Sequence, residues 1–396
     1  MLLKGIRVLD LSHTLAGPFT SMLLADLGAE VIKVEPPEGD ETRSWTPLIK
    51  GFSAYFASIN RGKKSIVVDL KSVKGREIIY RLVKKSHIVI ENYRPGVRER
   101  LGVDPETLFL INPNIVYCSM KGFGLKGTPY RDLPAYDIII QAMSGVMTST
   151  GFEGEPPVRV SFALFDVMTG YIAAYTVVST LLALRQGSIK GPVYIEVPMY
   201  DVAIFSMVYI PMIFLLSNEK PKRMGSAHPS IVPYQAFRAS DGKYFIVAAA
   251  NDKHWRRLCE AIGLIELAND PRFKTNPDRV RNRDALINVL SKIFSKKPRD
   301  YWVKLLISRG IPAAPVYEID EVFNDPHVRM RKLVVELDHP LLGKIKQIAF
   351  PISINDERPM SKLHPPLKGE HSREILKWLG YSDEEIEALF NEGVVA

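Results

Sequence analysis

Within this 396-residue chain, two places combine residue types and spacing that could do chemistry. Asp166 stands at the head of a long apolar run, 160–184, that reads as a buried helix. A carboxylate in a helix's first turn is favoured in its ionised form by the helix dipole. There it either caps the helix or serves as a nucleophile whose weak intrinsic reactivity must be made up by proximity. The second place is Gly-Phe-Gly-Leu-Lys-Gly at 122–127, a literal GxGxxG after a strand-like segment. Glycines of a dinucleotide site open a helix whose N-terminus receives pyrophosphate. Here Pro129 and Pro134 follow at once, and no helix continues through them. Glu35, ending another strand, imitates the ribose-binding acid of such folds, yet the turn at 14–18 lacks the glycine triplet. The dinucleotide reading therefore fails.

The bulk composition narrows the partners. A net charge of +8 and a pI near 9.2 favour anionic ligands. No Lys/Arg run or nucleic-acid motif is present, so the expected anion is a phosphorylated small molecule and not a nucleic acid. Cys118 and Cys259 stand far apart, offering neither a disulfide framework nor a metal-ligand spacing, which fits a reducing, cytoplasmic setting. No metal site is expected. The segment 160–184 is long enough to span a bilayer, but the carboxyl group within it favours a buried helix and no membrane association.

The elements that must position these residues alternate. Strands are predicted at 6–11, 30–34, 65–69, 87–91 and 115–119, with helices over 18–27 and 73–85 between them. Such alternation argues for an α/β fold with a parallel, doubly wound sheet. A strand follows at 194–197 and a helix around 203–216. A different texture, with a hairpin about Asp241–Gly242, marks a smaller α+β domain at 225–325. The organisation expected is 1–200 for the first part of the large domain, 201–224 for a helix and linker, 225–325 for the small domain, and 326–396 returning to the large one.

Several short motifs, in order, resemble the family III CoA-transferases over nearly the whole chain. They are Val-Leu-Asp-Leu-Ser-His at 8–13, Ala-Gly-Pro at 16–18, Val-Ile-Lys-Val-Glu at 31–35, Gly39-Asp40 with Arg43, and Asn-Arg-Gly-Lys-Lys-Ser at 60–65. Asp-Leu-Lys at 69–71, Glu-Asn-Tyr-Arg-Pro-Gly at 91–96 and Arg-Leu-Gly at 100–102 follow, with Pro-Tyr-Gln-Ala-Phe at 233–237 and Gly-Glu-His at 369–371 later.

The resemblance implies a Rossmann-like large domain built from both chain ends, a small inserted domain and an interlocked, ring-like homodimer. It implies an enzyme that moves CoA from an acyl-CoA to a carboxylic acid through an aspartyl–acyl anhydride and an aspartyl–CoA thioester on Asp166. No permanently bound cofactor is implied; CoA is the substrate. For its binding the resemblance points to Leu15, Ala16, Val68, Asp69, Lys71, Asn92, Tyr93, Arg94, Arg100, Lys121 and Tyr136. Pro36 and Leu15 stand where relatives carry arginine and glutamine, so phosphate contacts are expected to pass to Lys63, Lys64 or Arg94. The family's mobile glycine loop corresponds to Gly225-Ser226-Ala227-His228-Pro229, which is poorer in glycine. Two alternatives belong with this reading: a 2-methylacyl-CoA racemase of the same superfamily, and a non-catalytic acyl-CoA-binding protein. Against the racemase, Tyr136 occupies the place of its histidine base, and tyrosine, with a pKa near 10, accepts a proton poorly.

Overall fold

The computed structural model describes all 396 residues, which divide into two compact units. The first comprises Met1–Ser144, Val160–Leu216 and Arg329–Ala396; the second comprises Gly145–Arg159 and Ser217–Val328. The second unit thus also takes in a short segment, Gly145–Arg159, that the sequence places with the large domain.

In the first unit, strands β1 (Arg7–Asp10), β2 (Glu30–Glu35), β3 (Lys63–Val67), β4 (Ile88–Glu91), β5 (Val116–Lys121) and β6 (Val193–Pro198) form one sheet. Its order is β3-β2-β1-β4-β5-β6 and every pairing is parallel. β1 to β5 are buried almost throughout, as strands covered on both faces are, and the edge strand β6 only in part. Strand order reverses between β1 and β4, and in open α/β sheets ligands bind beyond the carboxyl ends of the strands at such a point.

One face is covered by α1 (Ala16–Asp26), which follows β1, and by the helix Leu164–Arg185. The other is covered by α2 (Val73–Lys84) and by the chain's last helices, Ser372–Trp378 and Asp383–Asn391. Ile375, Leu376, Ile386 and Leu389 pack there with Leu9, Ile32 and Ile66. The end of the chain is also stitched to the sheet edge, where Val395 bridges Val68 and the Asp69 N–H donates to the Val394 carbonyl at 2.9 Å.

Helix α3 (Asp137–Met143) precedes the long α4 (Leu164–Arg185). By length and composition α4 would suffice to cross a membrane, but Phe165, Thr169, Gly170, Ala173, Ala174 and Val177 make one buried face. Its opposite face, with Tyr171, Tyr175 and Leu182, is exposed, so the expectation of a buried helix holds for one face only. Gly170 permits the packing on α1: a Cβ there would lie 2.7 Å from Phe19 and 3.2 Å from the Ala16 carbonyl.

The single helix expected at 203–216 is two, α5 (Met199–Ser206) and α6 (Tyr209–Ser217), bent by 74°. Pro211 has no N–H for the carbonyl of Met207 four residues back, so a continuous helix breaks there. Val208 takes up the turn with φ of 49°.

The second unit carries an antiparallel hairpin, β7 (Tyr234–Arg238) and β8 (Tyr244–Ala248), extended by β9 (Ala313–Pro315). Phe237, Phe245, Trp255, Phe294 and Trp302 fill its core.

Beneath the switch point of the large sheet lies a buried ionic network. Asp10 at the end of β1 binds Lys63 at 3.1 Å; Lys33 on β2 binds Asp40 at 2.8 Å and the Ser12 carbonyl at 2.9 Å. Glu35 receives Arg43 through both oxygens at 2.7 Å, together with the Ser65 hydroxyl and the Asp40 N–H. Three cations thus meet three carboxylates, the arrangement that makes buried charge tolerable. Burial pushes the Asp10 carboxyl up, but Lys63, Lys33 and the hydroxyls of Ser12 and Ser21 outweigh it and bring it to about 2. Glu35, the imitation of a ribose-binding acid, is spent on this network.

Replacing Lys33 by Met keeps the volume and removes the ammonium, leaving Asp40 and the Ser12 carbonyl without their partner. We expect a loss of about 3–5 kcal/mol, the range for breaking a buried pair, read as a lowered urea midpoint. A midpoint equal to wild type would show that the network does not hold the fold.

Candidate active site

A cavity of about 590 Å³ opens in the first unit beyond the ends of β1, β4 and β5. The first β–α turn supplies His13, Thr14 and Ala16 to its wall, and the segment after β4 supplies Asn92, Tyr93, Arg94 and Pro95. The glycine turn after β5 and residues 131–136 form another wall, and Asp166 completes the lining. The glycine turn serves close packing: a Cβ on Gly122 would lie 2.0 Å from that of Ala135.

Asp166 sits in the first turn of α4, yet it does not cap that helix. Ala163, at the cap position, offers no side-chain hydrogen bond. The buried Asp137 does the capping from α3. Its Oδ1 accepts from the Phe165 N–H at 2.7 Å and from the Asp166 N–H at 3.4 Å, and its Oδ2 accepts from the Gln141 amide at 2.5 Å. Released from capping its own helix, the Asp166 carboxyl lines the cavity with Ala16, the first residue of α1, whose backbone N–H acts on it electrostatically. Burial and the neighbouring Asp137 charge push the Asp166 carboxyl up to about 7, with the Ala16 donor pulling the other way.

Around this pair the turn is tightly held. Asn92 clamps the His13 backbone reciprocally, accepting from its N–H at 2.9 Å and donating to its carbonyl at 2.8 Å. The His13 ring lies 5.6 Å from that of Tyr93; burial first, then Lys33, lowers its pKa. Tyr55 is pushed up to about 12 by burial and by the charges of Asp166, Asp137 and Asp40.

Of the residues singled out in the sequence, Ala16, Asn92, Tyr93, Arg94, Lys121, Tyr136 and Asp166 meet at the cavity. Leu15, Val68, Asp69, Lys71 and Arg100 lie outside its lining. Leu15 and Val68 are buried in the core, and Asp69 turns its Oδ1 to the Lys71 N–H. Lys121 reaches the wall with its ammonium already bound by both Glu91 oxygens and the Tyr93 carbonyl. Lys63 is sealed against Asp10, Asn60 and the Pro18 carbonyl, and Lys64 pairs with Glu374. Lys63 is thus closed to a phosphate, and neither lysine lines the cavity. Arg94 and Arg131 are the arginines on the wall, and no carboxylate pairs with either.

Gly225, Ser226 and His228 belong to the second unit. The Gly225 N–H donates to the Gly151 carbonyl, Ser226 Oγ accepts from the Ala236 N–H, and Arg283 holds the His228 and Pro229 carbonyls at 2.8 and 2.9 Å.

Sequence reasoning missed Asp137 and Tyr55. For Asp137 a signal existed: it stands next to Tyr136, at the start of a short apolar helix. Nothing in the local pattern tied it to a helix that begins 27 residues later.

The family model for CoA-transferase family III matches residues 3–372. The chain is 39% identical over 396 residues to the succinyl-CoA:glutarate CoA-transferase of Mus musculus, covering 99% of this chain and 90% of that one. It is 40% identical over 333 residues to the acetyl-CoA:oxalate CoA-transferase of Acetobacter aceti, covering 84% and 85%. A crystal structure of a CaiB/BaiF family protein from Brucella suis superimposes with a TM-score of 0.86 at 37% identity, over 95% of this chain and 99% of that one. The chain belongs to CoA-transferase family III and is a CoA-transferase, whose substrates are CoA thioesters.

The raised Asp166 carboxyl makes a stability prediction. Its folded pKa near 7 exceeds the unfolded value of roughly 3.9. Between these values the folded state holds a proton that the unfolded chain has released, so stability falls as pH rises through that window. Asp166→Asn should therefore stabilise the protein by about 1–2 kcal/mol at pH 8, as sites kept for function often do. Thermal unfolding at pH 8 and pH 4 tests this, since the gain should vanish at the lower pH.

Proposed function

We propose that Asp166 carries CoA during the transfer. Its carboxylate attacks the thioester carbonyl, the C–S bond breaks, and CoA leaves as thiolate from an aspartyl–acyl anhydride. The thiolate attacks the aspartyl carbonyl, the first carboxylate departs, and CoA is held as an aspartyl thioester. The acceptor carboxylate runs the same steps in reverse. One carboxylate and one thioester enter and leave, so no proton need be gained or lost.

The observation that carries this reading is the division of labour between the two aspartates. Asp137 satisfies the N-terminus of α4, and Asp166, desolvated and unpaired with any cation, faces the cavity beside a backbone donor. Desolvation raises the nucleophilicity of the ionised fraction. The Ala16 N–H faces the aspartyl oxygen, which gathers negative charge when thiolate attacks the aspartyl carbonyl of the anhydride and again when the acceptor carboxylate attacks the aspartyl thioester, the steps in which a fixed dipole there accelerates most.

CoA is proposed to lie in the cavity with its phosphates toward Arg94 and Arg131, beside Asn92, Tyr93 and Tyr136. Leu15, Val68, Asp69, Lys71 and Arg100 would contribute only at the periphery. Gly225, Ser226 and His228 are proposed to serve the acyl end, on the family's pattern. The relatives named for glutarate and oxalate both act on dicarboxylates, and a dicarboxylate is the acceptor we propose here, with a short acyl-CoA as donor. A homodimer is also proposed. Supporting it, Tyr175, Phe205 and Leu216 on α4–α6 are exposed at 72%, 77% and 81%, and large exposed apolar side chains grouped together mark interaction surfaces. Two free, buried cysteines are in keeping with a cytoplasmic setting.

Incubation with short acyl-CoAs followed by peptide mass mapping should place an acyl or CoA adduct on Asp166. No adduct, together with deuterium uptake at the substrate α-carbon in heavy water, would make the protein a racemase instead. Arg94→Ala and Arg131→Ala should each raise the KM for acyl-CoA about tenfold, the loss of one charged hydrogen bond, with little change in kcat. Sedimentation velocity should find a dimer, and a charged residue at Phe205 should dissociate it.

A further inference from the structure

The turn between β1 and α1 contains a backbone conformation that its residue type disfavours. Thr14 has φ of 68°, left-handed, although β-branched side chains crowd the backbone there. The surroundings explain why the reversal falls at this residue. Lys33 fixes the Ser12 carbonyl and Asn92 fixes both backbone groups of His13, so the chain must turn immediately afterwards to enter α1. Thr14 turns it, and its hydroxyl donates to Glu41 Oε1 at 2.5 Å. Glu41 is itself well anchored. It opens the short helix Glu41–Ser44, whose cap residue Asp40 is bound to the buried Lys33. Both Thr14 and Glu41 line the cavity that holds Asp166.

Two residues after Thr14 comes Ala16, which lines the cavity with Asp166 and whose N–H pulls the Asp166 carboxyl down against burial. Leu15 between them is the cap position of α1 and has no side-chain group to take that donor away. A direct role for Glu41 in holding CoA is the poorer account, because a carboxylate on this wall repels phosphates.

We propose that the Thr14–Glu41 hydrogen bond positions the reaction's oxyanion donor: it holds Thr14 left-handed and so aims the Ala16 N–H at the oxygen of Asp166. Thr14 and Glu41 are then positioning residues, acting through Ala16. The inference rests on the reading of Asp166 as the carrier of CoA.

Thr14→Val keeps the shape and removes the hydroxyl; Thr14→Ser restores it. Glu41→Leu removes the acceptor; Glu41→Gln keeps an acceptor without the charge. Thr14→Val and Glu41→Leu should lower kcat on the order of 10- to 100-fold, as small misplacements of reacting groups do, with KM for acyl-CoA unchanged within about twofold. Thr14→Ser and Glu41→Gln should stay near wild type. The pH at which kcat rises should move upward in Thr14→Val, because Asp166 loses its donor while Asp137 and Tyr55 still face it. A Thr14→Val enzyme with wild-type kcat, or one impaired mainly in KM, would overturn the proposal. The same preparations are mapped for the Asp166 adduct. An adduct in wild type with an unimpaired Thr14→Val enzyme sinks the clasp alone, whereas no adduct in wild type sinks the carrier reading and the clasp with it.

Discussion

The site depends on one hydrogen-bonding arrangement, the acceptance of α4's first backbone donors by Asp137. A helix of 22 residues carries a full dipole and a set of amide groups that must find acceptors. Had Asp166 answered that demand, its carboxylate would have folded back onto its own helix. Because α3 delivers an acceptor from outside, Asp166 is left to face the cavity beside the first residue of α1 instead. Two carboxylates thus relate three helices, Asp137 joining α3 to α4 and Asp166 facing α1, and the second of them lies at a ligand cavity. The close approach of α4 to α1 at Gly170 brings Asp166 to that position.

Beneath this arrangement, the ionic network of Asp10, Lys33, Lys63, Glu35, Asp40 and Arg43 fixes the turns that the sheet alone would leave loose. Carbonyls and amides at the ends of parallel strands have no ladder partners. Lys33 and Asp10 occupy those of Ser12, and Glu35 occupies that of Asp40. A polar interior of this kind costs desolvation, and its return is geometric: the turn around His13 and Thr14 is determined at nearly every residue.

The large sheet was legible because Val- and Ile-rich strand segments alternate along the chain with amphipathic helical ones. The break at Val208 was less so, although Pro211, inside the expected helix 203–216, carried the signal, since an interior proline can kink a helix as well as end it. Asp166 was legible as a residue but not as a free carboxylate: whether it caps or faces a cavity is decided by Asp137, 29 positions earlier, through a tertiary contact. Lys63 shows the opposite failure. In sequence it is one of two adjacent lysines in a basic motif; in the fold it is buried against Asp10, 53 positions away. Val68, Asp69 and Lys71 lie beyond the end of β3, outside the switch-point cavity, a separation that strand order creates and that linear spacing does not reveal.

The stitching of the last helices onto the first strands bears on how the protein comes into being. Leu9, Ile32 and Ile66 leave the ribosome well before the side chains that help shield one face of their sheet, from Ile375 to Val395. Half of the sheet can form during synthesis, but that face, covered meanwhile only by α2 and its neighbours, stays partly open until those later residues are made. Contacts that span the whole chain also close slowly, and bare strands are prone to stick to one another meanwhile. The nascent chain therefore passes through a long interval in which an apolar face of its sheet is partly exposed, and its yield in a cell is set by how that interval is protected as much as by the stability of the finished fold.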